Sequence, residues 1–185
     1  MSQDRLPSST VSVRDAETRD LPEVQRIYAH HVLHGLASFE VEPPDVAEIT
    51  RRYDAIRQLG LAFVVAEQGQ RVLGYAYASP YRPRIGYRFT IEDSIYVDDT
   101  ARGKGVGRRL LAELIGRCTR LGYRQMLAVI GDSGNAGSIG LHAALGFERT
   151  ALLPSVGFKF GRWVDVVFMQ RALGPGDSTL PVERR

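Results

Sequence analysis

A single cysteine, Cys118, is all the thiol that the 185-residue chain carries. One thiol cannot close an internal disulfide or build a zinc cluster of cysteines. In LIGRCTRLGY it falls on the apolar side of a helical pattern, where a free cysteine acts as a small core residue. Long apolar runs are also missing. No stretch approaches the roughly 18 residues of a membrane span, and the opening MSQDRLPSST lacks the apolar segment of a secretory leader, so a cytoplasmic location is expected. Nor is there a basic block. Lys and Arg number 24 against 21 Asp and Glu, a net charge of +3, but they are scattered, which argues against nucleic acid as a partner. So modest an excess would equally suit a polyanionic cofactor.

What is present is an ordinary globular balance, 44% apolar and 24% charged, which excludes disordered and fibrous classes. The length suits one core. Residues 1–10 and 174–185 are rich in Ser, Pro, Gly and charge without periodicity, so the reading is one domain at 11–173 between mobile termini.

Within it, TVSVR reads as a strand. RDLPEVQRIYAHHVL reads as a helix, with Asp20 and Glu23 spaced as a capping box. A second helix starts at the cap Asp45 and stops before Gly60. LAFVVAE and RVLGYAYAS, split by QGQ, form a hairpin, and IEDSIYV is a further strand. Leu110, Leu111, Leu114, Ile115 and Cys118 make one broad helical face. QMLAVI is a buried strand, NAGSIGLHAALGF a short helix, and ERTALLP with GRWVDVVFMQRAL two closing strands. Early alternation of helix and strand followed by hairpins predicts an α/β chain with a mixed sheet.

Between IEDSIYV and the leucine-rich helix lie Gly103, Gly105 and Gly107, three glycines in five positions. Without side chains there, backbone N–H groups at a positive helix end are free to face an anion such as phosphate; a flexible turn is the plainer alternative. GKGVG fits neither the dinucleotide fingerprint nor the P-loop.

Arg102, Gly105 and Gly107 resemble the acetyl-CoA loop of the GNAT superfamily of N-acetyltransferases: Arg or Gln, two residues, Gly, one residue, then Gly or Ala. NAGSIGLHAALGF resembles that superfamily's later segment. With GYRFTIEDSIYV and GFKFGRWVDVVFMQ, the likeness narrows to the phosphinothricin and methionine sulfoximine acetyltransferases and covers most of 11–173. The resemblance implies a mostly antiparallel mixed sheet, splayed at the cofactor strand, with helices on both faces. It implies acetyl-CoA as cosubstrate, no metal, and a homodimer paired through the aromatic C-terminal region. Backbone atoms of Ile95, Tyr96 and Val97 would hold the pantetheine arm. The loop Arg102, Gly103, Lys104, Gly105, Val106, Gly107 and Arg108 would take the pyrophosphate, with Asn135 and Ser138 near the reactive end.

Direct acetyl transfer needs a neutral amine, so the site must accept a proton. Glu92 matches the family's proposed general base; by spacing alone a solvated strand-end carboxylate is the better reading, and the resemblance reverses that. His142 stands where many relatives place a tyrosine that protonates the departing thiolate. It would serve as that acid, as a helper of Glu92, or as a plain hydrogen-bonded histidine. His30 and His34 have metal-ligand spacing, yet these and His31 read as ordinary helix-surface residues. On the acceptor side, Arg82, Arg84 and Arg88 offer a fork to a carboxylate and Tyr87 a wall, with Arg82 preferred, while Phe39 resembles another pocket wall. Asp93 and Ser94 complete the acceptor set. Asp93 stands where the sulfoximine enzymes commonly have His and the phosphinothricin enzymes Ser, and a carboxylate there is expected to disfavour an anionic acceptor group. The acceptor is thus a small amino acid or analogue; a protein N-terminus, or CoA binding without catalysis, are the alternatives.

Overall fold

The computed structural model describes residues 10–182; residues 1–9 and 183–185, parts of the expected mobile termini, lie outside it. Seven strands form one sheet in the order β1-β2-β3-β4-β5-β7-β6. They are β1 Ser12–Asp15, β2 Phe63–Gln68, β3 Arg71–Pro80, β4 Thr90–Val97, β5 Gln125–Gly131, β6 Glu148–Lys159 and β7 Arg162–Ala172. Four α-helices accompany them: α1 Leu21–His34, α2 Val46–Gln58, α3 Val106–Arg120 and α4 Ala136–Ala144. Only β4 and β5 pair in parallel; every other neighbouring pair is antiparallel.

Strand alternation decides which helices cover which face. Phe63, Tyr75, Tyr77 and Tyr96 form a stacked aromatic ladder on one face, capped by Tyr28 of α1 and Tyr53 of α2. On the other face α3 lies so close that a Cβ on Gly74 would sit 3.2 Å from Leu110 Cδ1. Leu110, Leu111, Leu114 and Cys118 of α3 are fully buried there, as the apolar face of that helix requires. Burying the three leucines contributes on the order of 1.5–3 kcal/mol each.

Two local readings need correction. Asp20 does not form a capping box with Glu23. It accepts instead from the Glu17 N–H at 2.8 Å and from Arg14 at 2.6 Å, so that a buried carboxylate ties β1 to the start of α1. The closing strand does not stop at Pro154. It runs to Lys159 with register shifts at Arg149/Ala151 and at Leu153/Gly157, the second spanning Pro154, which donates no ladder hydrogen bond, and Ser155 at φ +55°. In the C-terminal segment Arg124 donates to the carbonyls of Gly176, Thr179 and Leu180. Among the described residues no helix is long and apolar enough to cross a membrane.

Candidate active site

Strands β4 and β5 stay paired only from Thr90/Gln125 to Asp93/Ala128. Beyond that point β4 continues to Val97 and β5 to Gly131 with no mutual pairing. The gap between them is a cleft of about 910 Å³. Ser94–Val97 present to it a backbone edge that β5 no longer pairs, of which the Val97 carbonyl is taken by His31.

The glycine loop closes one end. Gly103 and Gly105 have φ of +73° and +78°, the left-handed region that glycine enters without strain, and nothing lies within 4 Å of where their Cβ atoms would be. Gly105 is the residue before α3, so the first-turn N–H groups that follow it have no carbonyl within the helix. An open cradle of N–H groups at a positive helix end fits a pyrophosphate. Ile95, Tyr96, Val97, Arg102, Gly103, Gly105, Val106, Gly107, Arg108, Asn135 and Ser138 all line the cleft. Lys104 is exposed and does not line it. The Asn135 side chain accepts from the Ser138 N–H at 3.1 Å, so its oxygen caps α4.

Glu92, Asp93 and Ser94 all reach the cleft wall, but adjacent strand residues face opposite ways. Glu92 is half-buried, and its carboxyl is held above the usual range, first by burial and then by the Asp93 charge, against the pull of Arg82. Asp93 turns to the other face and meets α4. Its Oδ2 lies 3.1 Å from His142 Nε2, while its Oδ1 is buried without a partner.

The proton count of this pair follows from its geometry. His142 Nδ1 donates to the Ser138 carbonyl at 2.7 Å, since a carbonyl only accepts. Nε2 faces the Asp93 carboxylate and donates to it when the ring is protonated, the form that this contact favours. Burial lowers the His142 pKa, but the Asp93 hydrogen bond and charge outweigh it and raise it. The Asp93 carboxylate is thus buried and paired with His142. His142 is hydrogen-bonded to Ser138 and Asp93, not to Glu92.

The acceptor candidates are only partly gathered. Phe39 lines the cleft. Arg82, Arg84, Tyr87 and Arg88 are exposed and stand outside it; Tyr87 lines a separate cavity of about 340 Å³ with Tyr81 and Leu127. Of the three arginines only Arg82 bears on Glu92 electrostatically. His31, expected on the helix surface, is buried and donates from Nε2 to the Val97 carbonyl at 2.9 Å. Burial foremost keeps its pKa low, and hence the ring neutral. The spacing Ile27, His31 already places it on the apolar stripe of α1. His30 and His34 are exposed as expected. Among the described residues no group of three or more His, Cys, Asp or Glu is arranged to hold a metal ion.

The Acetyltransferase (GNAT) family model matches residues 23–147, two thirds of the chain and the whole of the cleft's β4–α3–β5–α4 frame. The chain belongs to the GNAT acetyltransferase family. Over 176 residues this GNAT protein is 55% identical to a phosphinothricin N-acetyltransferase of Alcaligenes faecalis, covering 95% of the chain and 89% of that relative. It is 45% identical over 170 residues to an L-methionine sulfoximine/L-methionine sulfone acetyltransferase of Pseudomonas paraeruginosa, covering 91% and 98%. Among solved structures, a GNAT superfamily phosphinothricin acetyltransferase of Sinorhizobium meliloti, in complex with AcCoA, superimposes with a TM-score of 0.91 at 51% identity, covering 94% of each chain. The seven-stranded, mostly antiparallel sheet is thus the GNAT fold, as the resemblance implies.

Proposed function

We propose that this GNAT protein transfers the acetyl group of acetyl-CoA to the α-amine of a small amino acid or amino-acid analogue of the phosphinothricin or methionine sulfoximine type. One observation carries the reading: the parted β4–β5 edge joins an N–H cradle at α3 to a half-buried carboxyl, Glu92, held above its ordinary pKa. Acetyl-CoA, when bound, supplies the thioester carbonyl that the amine attacks. The chain's own groups do the rest. The Gly103–Arg108 backbone takes the pyrophosphate, and the open β4 edge at Ile95–Val97 aligns the pantetheine arm.

Glu92 accepts the proton of the attacking amine, directly or through water. Its raised pKa narrows the gap to an amine near 9–10, which otherwise costs roughly 3–4 kcal/mol to deprotonate at neutral pH. The Asp93–His142 pair holds the proton that the departing thiolate requires. Phe39 walls the acceptor, and Arg82 draws its carboxylate. A homodimer belongs to the same reading: Leu152, Leu153, Val156, Phe158, Phe160 and Trp163 are each 41–65% exposed on β6 and at the start of β7, more apolar surface than a solvent-facing hairpin needs. So does a cytoplasmic setting.

The test is to mix the protein with acetyl-CoA and, separately, phosphinothricin, methionine sulfone, the common amino acids and an N-terminal peptide, following free thiol. Turnover with the small amino acids and not the peptide is expected. Turnover with the peptide alone would assign a protein N-terminal activity, and binding of acetyl-CoA without turnover would leave a CoA-binding module.

A further inference from the structure

Lys159 is a buried lysine, with 2% of its surface exposed, near the tip of the β6–β7 hairpin. Among the described residues no carboxylate forms an ion pair with it. Its ammonium donates to the carbonyls of Gly35 at 3.0 Å and Ser38 at 2.6 Å. Both belong to the loop that leaves α1, and two carbonyls converging on one point need a donor with several hydrogens on one atom, which lysine has.

Two glycines let the same loop approach. Gly157, on the same side of β6 two residues earlier, faces the Phe39 ring so closely that a Cβ there would overlap it. Gly131, at the end of β5, faces the Leu36 carbonyl oxygen in the same way. From the opposite side Tyr28 reaches Ser38 Oγ at 2.9 Å and Glu40 at 3.0 Å, and Arg52 pairs with Glu40 at 2.7 Å. The loop is thus gripped between the α1–α2 layer and the far hairpin, across the open end of the cleft that also holds Glu92.

We infer that Lys159 is a positioning residue for the acceptor end of the site: it anchors the 35–39 loop, and with it Phe39, at a fixed separation from Glu92. The outward side chains of the same hairpin tip, Phe158 and Phe160, lie on the surface where subunits are proposed to meet, so one element serves the acceptor wall and that surface. The acceptor part of this inference rests on the acetyltransferase reading; the anchoring of the loop does not.

The experiment compares Lys159→Met and Lys159→Arg with the wild type in acceptor KM, kcat, acetyl-CoA Kd and hydrogen exchange of the amides at 35–40. Lys159→Met is expected to raise acceptor KM at least ten-fold and leave acetyl-CoA Kd within two-fold. Exchange at 35–40 should quicken at least ten-fold while β2 and β3 keep their protection, and Lys159→Arg should recover part of both effects. A variant with a lower melting temperature but unchanged KM and unchanged loop exchange overturns the inference. Should the wild type acetylate none of the acceptors, the acetyltransferase reading fails by itself, and the exchange data alone decide the anchoring. Should Lys159→Met not fold, Gly157→Ala, which displaces Phe39 and leaves the charge in place, is expected to give the same split, and an unchanged acceptor KM there counts against the inference.

Discussion

His142 Nε2 lies 3.1 Å from Asp93 Oδ2, a contact in which both side chains are almost wholly removed from solvent. One proton is common to the two, and the pH dependence of stability follows from it. A histidine whose folded pKa is raised gives stability that is complete below its unfolded value near 6.5 and is lost as pH rises through the folded value. The melting temperature of the wild type should therefore fall relative to Asp93→Asn as pH climbs from about 6.5. Asp93→Ala, which strands the ring, should cost about 3–5 kcal/mol at pH 6. Scanning calorimetry from pH 5.5 to 9 checks both, and parallel curves for wild type and Asp93→Asn would show that no proton is shared.

Glu92 carries a signature of the same sign. Its carboxyl is held above its ordinary pKa by burial first, so the unfolded chain releases this proton earlier, and folding stability declines as pH rises through the folded pKa. Glu92→Gln is expected to melt higher than the wild type at pH 7 and to lose that advantage near pH 4. Its kcat should drop by about 10²- to 10⁴-fold with acetyl-CoA affinity unchanged, and should recover as alkaline solution supplies neutral amine. A mutant that keeps most of its rate and mainly raises acceptor KM would make Glu92 a binding group.

Gly105 separates backbone strain from ligand recognition. At φ +78° any side chain is strained by roughly 1–2 kcal/mol, yet the surrounding space is open. Gly105→Ala should lower stability by about that amount with a modest loss of acetyl-CoA affinity. Gly105→Asp should weaken binding more than ten-fold by adding a negative charge where a phosphate belongs, with the fold retained. Calorimetric titration distinguishes the two.

The exposed aromatic tip offers a test of assembly. Trp163 is 65% exposed and packs only its edge on Phe158, with ring centroids 5.3 Å apart. Trp163→Glu should convert a dimer to a monomer in light scattering at micromolar concentration while changing monomer stability by about 0.5 kcal/mol or less, as surface substitutions do. A wild-type monomer at that concentration would remove the assembly from the reading.

Where periodicity spoke, the fold was legible. The face of Leu110, Leu111, Leu114 and Cys118 named α3, and Asp45 named the start of α2, where it accepts from the Glu48 N–H at 2.8 Å. The glycine loop was legible because positive φ leaves a compositional trace. Two things were not. Asp93 and His142 are 49 positions apart, and nothing local announces that a strand carboxylate turned away from Glu92 would meet a helix histidine. Lys159 lay hidden because FKF reads as a charged residue between two core aromatics, whereas its neighbour Gly161 and the hairpin turn put the aromatics outside and the lysine inside. His31 was recoverable, since its place on the Ile27 stripe outweighs its polarity.

The order in which the strands occur along the chain bears on synthesis. Strands β1 to β4 form a contiguous half-sheet that is complete by Val97, while β5, which covers the far side of β4, begins only at Gln125. A nascent chain therefore exposes β4 as a bare edge, open to pairing with another molecule, until the next strand leaves the ribosome. Side-by-side acids at Glu92 and Asp93, within the very residues that will pair with β5, make that edge a poor template for a stray strand. The carboxylates proposed to handle protons in the finished enzyme would thus also guard its half-made precursor against aggregation.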